Sequence, residues 1–106
     1  MGEKRRLKRV NWFVEAKIHC VEMDLFWNVR LTDISEGGCF VDTIVPLDAG
    51  TKITLMVKDD AHTLDVPGRI LYVNPGFGSA IEFDPLEPDL RSKILAIMQS
   101  RSDGAT

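Results

Sequence analysis

The chain has 106 residues, 44% hydrophobic and 27% charged, which suits one domain with one core and leaves no length for a separate catalytic domain. Formal charge is −3, yet residues 1–10 hold five Lys/Arg against one Glu, net +4, while residues 11–106 hold eight cations against fifteen acids, net −7. A basic segment on an acidic body argues for a local anion site and against a surface for a nucleic acid polymer.

The basic segment opens the chain as Lys4-Arg5-Arg6-Leu7-Lys8-Arg9, and residues 1–12 read as a flexible arm. Arg5 and Arg9 stand four apart, and each guanidinium can clasp a phosphate or a purine O6/N7 edge with two parallel hydrogen bonds; Arg6 can assist. Alone, such a segment reads more readily as a solvated basic tail. Trp12 reads as an aromatic staple holding the arm to the body, ahead of a cover for a ligand base.

Period-two alternation then dominates. Val14, Ala16, Ile18 and Cys20 share one face of a first strand, with Glu15, Lys17 and His19 on the other. A polar break at Glu22 to Asp24 turns the chain into a second strand, where Leu25, Trp27, Val29 and Leu31 face the core. Asp33-Ile34-Ser35-Glu36-Gly37-Gly38 follows. Its carboxylate can accept the N1–H and N2–H₂ donors of guanine, its hydroxyl can bond a ligand, and Gly38 allows positive φ and close backbone approach. By itself the hexapeptide reads equally as an ordinary turn in which Asp33 and Ser35 bond only their own backbone.

Cys39 to Ile44 reads as a third strand and Thr51 to Lys58 as a fourth, with Ile53, Leu55 and Val57 inward. The fifth runs from Thr63 to Val73, where Pro67-Gly68 marks a bulge or an edge. Arg69 reads as a cross-strand ion-pair partner before a ligand contact. Asn74-Pro75-Gly76 turns into a sixth strand, Phe77 to Phe83. The period then changes: Leu90, Ile94, Ile97 and Met98 form the stripe of an amphipathic helix, for which Asp84-Pro85 and Glu87-Pro88 both serve as starts. From Ser100 the chain is polar and expected to fray.

The pattern predicts an all-β fold with one helix: a closed, six-stranded antiparallel barrel with a C-terminal α-helix. Residues 13–100 form that unit, between the arm and a tail at 101–106. Cys20 and Cys39 lack metal-ligand spacing and read as reduced core thiols. His19 and His62 have no serine or thiol at motif spacing, so no catalytic set, metal or cofactor is expected. No run approaches the ~20 apolar residues of a membrane span. No signal-peptide pattern follows the basic start, and Arg6 stands where a myristoylation signal needs Ser or Thr, so a cytoplasmic protein is expected.

The R-x-x-x-R of Arg5 and Arg9, the D-x-S-x-x-G of Asp33, Ser35 and Gly38, their order and separation, and the later Gly68-Arg69-Ile70 and Gly76-Phe77-Gly78 resemble a PilZ domain. The resemblance covers nearly the whole chain. It implies a bacterial receptor for cyclic di-GMP, not an enzyme, with Arg5, Arg6, Arg9, Asp33, Ser35 and Gly38 at the ligand. It also implies that ligand draws the arm onto the barrel and signals to an effector protein in motility, secretion or polysaccharide synthesis (biofilm regulation). The alternative is a PilZ-like adaptor that binds protein and no nucleotide. An oligonucleotide-binding barrel fits worse, because it needs exposed aromatics among basic strand residues.

Overall fold

Alternating apolar and polar side chains form six strands: β1 (Val10–Cys20), β2 (Leu25–Ile34), β3 (Gly38–Val41), β4 (Lys52–Lys58), β5 (Thr63–Asn74) and β6 (Gly78–Phe83), followed by α1 (Pro88–Gly104). The computed structural model describes residues 8–59 and 61–104, so Arg5 and Arg6 lie outside the described residues. Every strand pairing is antiparallel, and the order β1-β2-β3-β6-β5-β4 closes into a barrel, as the pattern requires. Closure removes the unpaired edges that an open sheet would present.

The inward residues make one core, in which Ile18, Leu31, Val41, Leu55, Val66 and Ile70 are wholly buried. Both cysteines are free and buried within it. Ile94, Ile97 and Met98 bring the apolar stripe of α1 into the same core, against β1 and β5, while Leu90 is half-buried. Of the two candidate helix starts, the chain uses Glu87-Pro88: Pro88 takes the first position, where a missing N–H costs nothing, and the Arg91 N–H donates to the Glu87 carbonyl at 2.8 Å. The helix runs on through Gly104, past Ser100 where fraying was expected.

Several boundaries differ from the sequence reading, each for a local reason. β1 begins at Val10, inside the expected arm, because Trp12 is only 1% exposed and is part of the core. The Trp12 ring meets His62 edge-on at 6.2 Å, so the staple reading holds. β3 stops at Val41 rather than Ile44. Asp42 leaves the ladder, its N–H donating to the Arg30 carbonyl and its carboxylate accepting from the Arg30 guanidinium, and Ile44 is exposed.

Leu25 is exposed and Trp27 only half-buried, although their β1 partners Cys20 and Ile18 are wholly buried. Pro67-Gly68 is no bulge, and β5 is not an edge strand, since it pairs with β4 on one side and β6 on the other; Pro67 sits where the β6 ladder ends. The Pro67 carbonyl accepts from the Asp84 N–H, so the proline nitrogen faces the same way, beyond the last β5–β6 pair at Gly68 and Phe83. No ladder donor is needed there. β6 starts at Gly78, since Phe77 belongs to the preceding turn: its N–H donates to the Asn74 carbonyl, and Gly76 takes a φ of 87° behind Pro75.

Candidate functional site

Three register irregularities converge on one outer region of the barrel. They lie in β1 between Asn11 and Val14, in β2 between Leu31 and Asp33, and in β5 between Ile70 and Tyr72. Bulges of this kind re-aim side chains. In β5 the shift leaves two successive residues, Leu71 and Tyr72, facing out, each about half exposed.

Between these segments lies a cleft of about 540 Å³. Arg9 and Asp33 stand at one side, Phe40, Leu71 and Tyr72 supply apolar surface, and Ala80 keeps its side chain small between them. The register that opposes Val10 to Ile34 and Asn11 to Asp33 carries Arg9 alongside the end of β2. Arg9 Nη2 lies 3.3 Å from Asp33 Oδ1, an ion pair whose two side chains are 49% and 25% exposed. That oxygen is buried yet receives no hydrogen bond of good geometry from a described residue. It therefore keeps unused accepting capacity beside the Arg9 guanidinium.

The rest of the D-x-S-x-x-G segment is shaped from within. Ser35 is buried; its N–H and its hydroxyl both donate to the Gly38 carbonyl, at 2.8 and 3.2 Å, and its hydroxyl accepts from the Gly37 N–H at 3.2 Å. The hydroxyl expected to meet a ligand is thus committed to holding the turn. Gly38 does not adopt the positive φ expected of it. It is required for a different close approach: a Cβ there would fall on the Ile81 carbonyl oxygen of the neighbouring strand. Gly37 in turn accepts from the Phe83 N–H at 2.9 Å, tying the turn to the end of β6.

Beneath the ion pair, burial pushes the Cys39 thiol well above its ordinary pKa, with the Asp33 charge adding to the rise and Arg9 opposing it. It is an inert core residue. Arg69 pairs across strands with Glu82 at 2.7 Å, on the rim of the same region. His19 stacks on Phe26 and bonds Asp24, and His62 bonds Asp59, so both histidines sit away from the cleft lining. Among the described residues no group of three or more His, Cys, Asp or Glu is placed to hold a metal. No described helix is long and apolar enough to cross a membrane.

Sequence reasoning missed the apolar side of the cleft. Phe40, Leu71 and Tyr72 read as ordinary strand residues, and only the consecutive exposed pair, which breaks the alternation, could have signalled the β5 bulge.

A family model for the PilZ domain matches residues 3–100. The chain belongs to the PilZ domain family. Among solved structures, the PilZ domain of YcgR from Escherichia coli with c-di-GMP is similar at a TM-score of 0.74 and 15% identity, covering 96% of this chain and 94% of that one. The PilZ domain of CeSA from a cellulose-synthesising bacterium gives 0.72 at 17% identity, covering 88% and 96%. PlzA of Borreliella burgdorferi in complex with c-di-GMP gives 0.66 at 14% identity, covering 86% of this chain and 39% of that protein. At these identities the likeness is one of fold. No curated protein matches the sequence.

Proposed function

We propose that this PilZ domain is a receptor for cyclic di-GMP, bound in the cleft beside Arg9 and Asp33. The observation that carries the reading is that Arg9 and Asp33, distant in sequence, meet at the mouth of a cleft whose other side is apolar and partly aromatic. A cyclic dinucleotide offers what each part lacks. Its phosphate takes the guanidinium, its guanine N1–H and N2–H₂ take the Asp33 carboxylate, and a base face covers Tyr72.

The energetics favour the exchange. The Arg9–Asp33 pair is partly solvent-exposed, and such pairs contribute about 1 kcal/mol or less. Each charge-assisted bond to ligand is worth about 1.5–3 kcal/mol. Ligand therefore displaces a weak internal contact and replaces it with two stronger ones.

Arg5 completes the R-x-x-x-R motif, with Arg6 beside it, so residues 1–9 close over the ligand and change the surface offered to an effector protein. The net +4 of residues 1–10 supports this closure, because phosphates relieve its self-repulsion. Ser35 and Gly38 act by shaping the turn rather than by touching the nucleotide.

Titration calorimetry with cyclic di-GMP and cyclic di-AMP tests the reading. Binding of the first with clear preference over the second is expected; no heat with either, or equal affinity for both, overturns it. Amide exchange of residues 3–12 with and without saturating cyclic di-GMP tests closure of the arm, which is wrong if protection is unchanged.

A further inference from the structure

The end of β2 and the turn that follows it each carry a carboxylate, Asp33 and Glu36, and each is met by an arginine from a different end of the chain. Asp33 is met by Arg9. Glu36 is met by Arg91, whose Nε donates to Glu36 Oε2 at 2.8 Å across 55 residues of sequence. Arg91 stands in the first turn of α1, so its position is set by the helix and not by the barrel wall. Beside it lies a second groove of about 430 Å³, with Glu36 and Arg91 on its walls, which shares Gly37 and Glu82 with the nucleotide cleft.

Gly37 and Glu82 therefore form the ridge between the groove and the cleft, and Glu36 stands on its groove side, flanked in sequence by Ser35 and Gly37, which line the cleft. The Glu36 side chain is 29% exposed. A carboxylate one residue from the cleft-lining Ser35 and Gly37 acts over a screening length of about 8 Å at physiological ionic strength, so unneutralised it would repel a phosphate in the cleft. Arg91 supplies the neutralising charge from outside the barrel.

We propose that Arg91 is a positioning residue for the nucleotide cleft: acting through Glu36, it removes a repulsive charge from beside the ridge and links ligand affinity to the docking of the first turn of α1. The inference rests on the reading of the cleft as a cyclic di-GMP site. It gives the barrel a second exit for a signal, since whatever the helix docking does to affinity, ligand does to helix docking by the same factor.

The test is calorimetric titration of cyclic di-GMP into wild type, Arg91→Gln, Arg91→Lys, Glu36→Gln and the double variant Glu36→Gln/Arg91→Gln, with melting temperatures as a check on folding. Arg91→Gln should weaken binding about two- to fivefold, the range open to an exposed ion pair. Arg91→Lys should recover most of that loss. Glu36→Gln should bind at least as tightly as wild type, and the double variant should return to within about twofold of it, because no carboxylate remains to be neutralised. Amide exchange of residues 88–94 should slow on ligand addition in wild type and not in Arg91→Gln. Unchanged affinity in Arg91→Gln overturns the proposal. So does equal weakening by Glu36→Gln with no recovery in the double variant, which would make the pair a simple brace. If wild type itself binds no cyclic di-GMP, the underlying reading falls first, and the wild-type titration alone reveals it.

Discussion

The inner and outer faces of the same strands do opposite work around the cleft. Ile34 and Cys39 point inward and are wholly buried, while their immediate neighbours Asp33 and Phe40 line the cleft. One residue of register separates core from site. The inner face supplies stability through burial, which is tolerant of chemistry but not of volume. The outer face supplies charge and accepting capacity at modest energetic cost, because its ion pair is partly solvated. Substitutions on the two faces should therefore separate stability from binding.

The largest effect is expected on the inner face. Trp12→Ala removes a side chain that is 1% exposed and leaves a cavity beside His62. It should cost about 3–5 kcal/mol and lower the melting temperature by roughly 4 °C or more per kcal/mol. A melt within a few degrees of wild type would show that Trp12 is a surface cover and not part of the core.

Gly38→Ala is the test that should break the separation. Its Cβ would fall on the Ile81 backbone, which cannot swing aside as a side chain can, so the β3–β6 seam must shift. A cost of about 1–3 kcal/mol is expected, together with weaker ligand binding, because the seam carries Phe40 and Ala80 on its outer side. Gly76→Ala, where nothing lies within 4 Å but φ is 87°, is the control: a smaller loss of stability and no change in binding. If Gly38→Ala melts and binds like wild type, the close approach of the strands is not needed for the cleft.

On the outer face, Arg9→Ala should leave the melting temperature nearly unchanged and weaken cyclic di-GMP by about tenfold or more, one charge-assisted contact being worth about 1.5–3 kcal/mol. Asp33→Ala should lose affinity and also the preference over cyclic di-AMP. Wild-type affinity in the double variant would remove both residues from the site and leave the hexapeptide a turn and nothing more.

Much of the fold was legible because hydrophobic alternation is a local signal with a strong energetic reason behind it. A single-residue slip of β4 would turn Ile53, Leu55 and Val57 to solvent, so the pattern had only one workable register. The helix stripe was readable on the same grounds. Arg9 and Asp33 were legible as a pair of chemistries, but their meeting at 3.3 Å depends on the β1–β2 register, which sequence spacing does not specify. Tyr72 was passed over, since the bulge that turns it outward is a local departure from alternation whose sole trace in the sequence is the apolar pair Leu71-Tyr72. The positive φ expected of Gly38 is not taken up for a related reason: the constraint comes from Ile81, far along the chain, and not from its own turn. Glu36 and Arg91 were passed over because a surface carboxylate and a helical arginine are ordinary residues until the fold brings them to 2.8 Å.

The smallest effect should come from a polar group outside the cleft, which sharpens the contrast by showing a charge that serves structure alone. After β4, the Asp59 carboxylate accepts the Ala61 and His62 backbone N–H groups at 2.9 and 2.6 Å and holds the loop that sets His62 against Trp12. Burial opposes its charge, but those bonds and the neighbouring His62 ring more than offset that, so its carboxyl titrates below the ordinary 3.8. A carboxylate with a lowered folded-state pKa stabilises above the value of the unfolded chain and loses that contribution as pH falls through the folded value. Asp59→Ala should therefore cost about 1 kcal/mol near neutral pH, with cyclic di-GMP affinity unchanged. The difference in melting temperature between wild type and variant should hold constant down to about pH 5 and shrink below it. A gap that stays constant into strong acid would mean that the carboxylate charge contributes nothing and the loop is held by packing against Trp12.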